Sequence, residues 1–153
     1  MRAILVNPFK REVTEVHADF NKLAVLQNYL TTGTNINMTG NKACLCAGPR
    51  LTAEVHTYVD DEGYYRPNQA WFRLKGYNAP LAGYMLVLSS TDDGDERDLE
   101  AYVTVERLAS LISYTDEQDA AATIPPITIT GFGGPNGVSY EEIPVDITHK
   151  RDF

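Results

Sequence analysis

The run Tyr84-Met85-Leu86-Val87-Leu88 constrains this chain most: it is unbroken and apolar, far too short for a membrane span, and reads as a buried strand. A chain that carries such a strand has to close a core around it. The 153 residues suffice, because a domain of that length buries roughly 68–70% of its unfolded surface. With 43% hydrophobic and 22% charged residues, the composition is that of a folded globular domain.

The other elements are short and punctuated by turns. Arg2 to Val6 is apolar and Glu12 to His17 alternates Val13 and Val16 with polar neighbours, so the turn Asn7-Pro8-Phe9-Lys10 is predicted to join two strands. Asp19 is placed to cap a helix over about 20–31, with Phe20, Leu23, Ala24, Leu26 and Leu30 on one stripe and Gly33 ending it in the left-handed conformation. Ala43 to Ala47 suits a short buried strand, and Leu51 to Val59 alternates as a two-faced one that ends in the turn Asp60-Asp61-Glu62-Gly63. Trp71 to Leu74 reads as a further strand, Asp92 to Asp98 as a solvated loop, and Thr104 as the cap of a second helix over about 104–113.

Past Tyr114 the composition shifts. Residues 115–126 read as a linker rich in Asp, Glu, Ala and Pro, and 127–153 as a C-terminal strand pair packed on the domain formed by 1–114. Strands outnumber helices and no repeat is visible, so the expected class is α+β with a mostly antiparallel sheet.

The charge of −8 and pI near 4.8 argue against direct nucleic-acid binding, which relies on a surplus of Lys and Arg at the contact face. The same charge suits a basic protein partner, including one whose DNA site an acidic surface imitates. The N-terminal apolar run stops at Asn7-Pro8, short of a signal or membrane segment, which gives an expectation of a cytoplasmic protein with no membrane partner. Cys44 and Cys46 would close only a tiny loop near the limit of Cα separation, so reduced thiols are expected.

Motifs of established chemistry are weak here. The loop Gly131 to Gly137 lacks the Gly-Lys-Ser/Thr ending of a phosphate loop and contains Pro135. Ser89, Thr91, Asp93, Gly94 and Glu100 occupy EF-hand-like positions but begin with Ser where Asp belongs, and Cys44, Cys46 and His56 lack the spacing and fourth ligand of a zinc site. No metal, cofactor or catalytic residue is therefore assigned. His56, on a strand running into Asp60 and Asp61, is the single candidate general base should the chain be a nucleotide hydrolase.

The stretch from Tyr64 to Tyr84 carries more chemistry. Tyr65, Arg66, Asn68, Arg73, Lys75 and Tyr77 combine aromatic faces with guanidinium, ammonium and amide donors, a mixture that stacks on planar ligands and bonds anions. They are the candidate ligand-binding residues for a nucleotide-like molecule, with Arg66, Arg73 and Lys75 on phosphate and Tyr65 or Tyr77 on base. Asp92, Asp93, Asp95, Glu96 and Asp98 form the candidate surface for a protein partner, and the composition leaves a homo-oligomer open.

Three blocks carry a resemblance: Ala3 to Pro8; Val59 to Gly63 with Arg66-Pro67-Asn68-Gln69; and Phe72 to Gly83 leading into Leu86-Val87-Leu88. Over about residues 1–113 the chain resembles a family of short phage and mobile-element proteins known as a domain of unknown function. The resemblance implies a phage origin and a life inside the infected bacterium, and it implies no catalytic residues. The expected function is a non-enzymatic accessory protein that binds a host component, either a nucleotide-type signal or a protein that it blocks.

Overall fold

The structure, a computed structural model, describes residues 1–37 and 40–116. The expected strand pair over 127–153, the Gly131 to Gly137 loop and most of the 115–126 linker lie outside the described residues.

The described chain has an α+β fold, with β1 (Arg2–Asn7), β2 (Glu12–His17), α1 (Leu23–Thr32), β3 (Leu45–Ala47), β4 (Val55–Asp60), a 3-10 turn (Gly63–Tyr65), β5 (Trp71–Leu74), β6 (Leu81–Ala82), β7 (Met85–Ser90), β8 (Glu96–Arg97), α2 (Val105–Ala109) and β9 (Ile112–Thr115). Every strand pairing among these residues is antiparallel. The larger sheet runs β2-β1-β7-β4-β3, with β8 alongside the end of β7, and the smaller runs β6-β5-β9.

The apolar run occupies the middle of the larger sheet and is buried from Met85 to Ser89. Alternation sends Met85 and Val87 to one face, with Ile4, Val6 and Val55, against Phe72, Leu74 and Leu108 from the smaller sheet and α2. Leu86 and Leu88 turn to the other face, with Ala3 and Leu5, against Phe20, Leu26 and Leu30. The larger sheet is thus the middle of three layers, and both of its faces are core.

The β1–β2 hairpin forms as the pattern predicts. Asn7 Oδ1 accepts from the amides of Phe9 and Lys10, and Arg11 closes the turn at φ 53°. Gly33 ends α1 at φ 74° with its N–H on the Tyr29 carbonyl, 2.9 Å away.

Several boundaries differ from expectation. The first helix begins at Leu23, with Lys22 at the cap position and no side-chain cap, because Asn21 is engaged elsewhere: its amide donates to the Glu96 carbonyl at 3.2 Å and accepts the Glu96 N–H at 2.9 Å. Asp19 instead bonds the Asn21 amide, and Leu23 is 59% exposed. The expected strand from Leu51 starts only at Val55, since the Thr52 hydroxyl accepts from the amides of Glu54 and Val55 and folds this segment into a turn. The strand expected over 43–47 is limited to Leu45–Ala47 and is only partly buried. The second helix stops at Ala109: Thr104 caps it through the Arg107 N–H, but Ile112 to Thr115 leaves to pair with β5.

Candidate functional site

The sequence-selected residues do not converge on one place. Arg73 and Lys75 belong to β5 and the turn after it, in the smaller sheet, and Tyr77 packs on the core there. Tyr65 is 75% exposed on the 3-10 turn, and Asn68 is an exposed turn residue at φ 56°, a backbone state that Asn tolerates well. Of the six, Arg66 lines the cavity described next, and the other five do not.

That cavity, of about 130 Å³, lies where six segments meet. The hairpin turn brings Phe9, the last turns of α1 bring Leu30 and Thr31, and the approach to β3 brings Asn41 and Ala43. The end of β4 supplies Asp60, the following loop Arg66 and Gln69, and the β6–β7 turn Gly83 and Tyr84. Phe9, 48% exposed, packs on Tyr84 with ring centroids 5.0 Å apart and planes tilted by 43°. Burial pushes the Tyr84 phenol above its ordinary value.

Asp60 organises the polar wall. Its Oδ1 accepts from the Cys44 N–H at 2.9 Å and the Glu62 N–H at 3.2 Å, and both oxygens receive Arg66. The hydrogen bond from Arg66 Nε to this 6%-exposed carboxylate holds the guanidinium pKa above its ordinary value, and Glu62, 3.7 Å from Nη2, adds to the effect. Arg66 Nη2 also donates to the Lys42 carbonyl at 3.2 Å. These contacts leave Nη1 without a hydrogen bond among the described residues. The Gln69 amide bonds the Gly63 carbonyl and the Ala70 N–H, so it braces the wall. Phe9, Asn41 and Tyr84 were not selected from the sequence; an aromatic residue at a turn tip is their one local signal, and only the fold joins them.

His56 does not meet Asp60 or Asp61. Asp60 is held by Arg66, while His56 Nε2 lies 3.0 Å from Oε2 of Glu96, an ion-pair distance without hydrogen-bond alignment. The other oxygen, Oε1, accepts from the Tyr58 hydroxyl. Glu96 therefore departs from the expected partner-facing loop: it sits on β8, turned inward, and its side chain is 7% exposed. Burial, with the Glu96 carboxylate beside it, raises the Tyr58 pKa far above its ordinary value. His56 lines neither that cavity nor the hollow around Met1, Arg2 and His17.

Of the other acidic residues, Asp92, Asp93 and Asp95 are exposed on the β7–β8 loop, and Asp98, exposed as well, accepts the Arg2 N–H at 2.6 Å. Ser89 and Glu100 of the EF-hand-like set are engaged with each other and with Arg97: Ser89 Oγ accepts the Glu100 N–H, and Arg97 pairs with the Glu100 carboxylate. No group of three metal-ligating side chains occurs among the described residues. No helix among them is long and apolar enough to cross a membrane. Compared with protein-family models, with curated proteins and with solved structures, the chain matches none.

Proposed function

We propose that the chain is a non-catalytic accessory protein of phage type that acts by occupancy, taking a small ligand into the cavity framed by Phe9, Tyr84 and Arg66. The observation that carries this reading is that Arg66, whose Nη1 has no hydrogen bond among the described residues, lines the same concavity as the Phe9–Tyr84 pair, which combines apolar walls with a few fixed polar groups. Native mass spectrometry of the chain purified from a bacterial host tests it. A small bound mass retained by the wild type and lost in Phe9→Ala supports the reading; a mass retained equally by both removes it from this cavity.

A second reading, that the chain blocks a basic host protein, draws on the exposed carboxylates of Asp92, Asp93 and Asp95 and the net charge of −8. Reversing those three charges should release a basic protein captured from host lysate. Unchanged capture contradicts it.

A further inference from the structure

Resting on the cavity reading above, we infer that the ligand group is an uncharged single-ring heterocycle of the pyrimidine-base type, and that any sugar or phosphate attached to it stays outside. Size comes first. An apolar protein cavity of about 150 Å³ holds one benzene, so about 130 Å³ has room for one ring.

Charge points the same way. Among the described residues Arg66 is the one cation lining the cavity, and it is already offset by Asp60 and approached by Glu62. A phosphate on Nη1 would have to share a guanidinium already paired with Asp60 on its other edge, and the remaining attraction would offset less of its desolvation. A neutral acceptor meets no such penalty. Arg73 and Lys75, the other cations suited to phosphate, stand on the smaller sheet and do not line the cavity.

The donors match a ring with acceptors in its plane. Nη1 of Arg66 has no hydrogen bond among the described residues, and Asn41 brings an exposed amide, while Thr31 Oγ1 is occupied by the Gln27 carbonyl and the Ala43 N–H. The Phe9–Tyr84 pair supplies a face on which such a ring can stack.

The test is an NMR titration of the isotope-labelled full chain with cytosine, cytidine, cytidine monophosphate and toluene, following the amides of Phe9, Asn41, Gly83 and Tyr84. Expected are similar affinities for cytosine and cytidine, and an affinity for the monophosphate that is equal or weaker. Arg66→Lys, which keeps the charge beside Asp60, should weaken cytidine at least 10-fold, as should Phe9→Ala, each with an otherwise unchanged amide spectrum. A monophosphate bound 10-fold tighter than cytidine, or toluene bound and no pyrimidine, overturns this inference while leaving the cavity reading intact. Silence of all four amides with every probe overturns both.

Discussion

A Cβ placed on Gly33 would lie 2.6 Å from Cε1 of Tyr84. The glycine thus serves twice: its left-handed φ ends α1, and its missing side chain admits the ring that packs on Phe9 at the cavity mouth. Gly33→Ala should lower stability by more than about 1 kcal/mol, from the strained φ and the displaced ring together. Chemical denaturation measures it, and a change within about 0.3 kcal/mol would separate the helix end from the ring.

The middle strand is predicted to dominate stability. Leu86 and Leu88 are fully buried against Phe20, Leu26 and Leu30, so truncating either to Ala should cost about 2–5 kcal/mol. A loss below about 1 kcal/mol in urea melts contradicts its place between two layers.

That strand was the most legible part of the sequence, because an unbroken apolar run has to be covered on both faces. The hairpin turn and the Gly33 stop were equally readable, since Asn7 and Gly33 each act on backbone beside them. What failed to show involved competition at a distance. Asn21 delays α1 only because the Glu96 backbone, 75 residues away, takes its amide. Ile112 to Thr115 alternates as a strand would, yet it follows a capped helix without a breaker, and pairing with β5 decided it. The cavity residues come from six segments with no common motif, and Glu96 looked solvated because its neighbours Asp92 to Asp95 are.

Glu96 should be structural. Its buried carboxylate receives the Tyr58 hydroxyl on one oxygen and faces His56 on the other, so His56→Ala removes the ring that covers that oxygen and packs edge-on against Tyr58. A loss of about 1 kcal/mol is expected, with ligand binding at the cavity unchanged. Lost binding with stability intact would move the functional site to His56.

Alkaline pH should unfold the chain early. Tyr58 holds its proton more tightly folded than unfolded, through burial first and the Glu96 hydrogen bond and charge next. A raised folded pKa stabilises fully below the unfolded value near 10 and loses that contribution as pH climbs above it, where only the unfolded chain ionises. Tyr29, Tyr84 and Tyr114 shift in the same direction. Melting temperatures recorded from pH 8 to 11 should hold steady to about 10 and then fall; Tyr58→Phe should flatten that fall while lowering the plateau. A decline beginning well below pH 9 would assign it to other groups.

The most direct test of the central claim is a crystal structure of the full chain grown with millimolar cytidine. The account predicts one ring seated against Phe9 and Tyr84, with an acceptor on Arg66 Nη1 and the ribose outside. An empty cavity with cytidine bound elsewhere, or Arg66 swung from Asp60 onto a phosphate ion in place of the base, would contradict it.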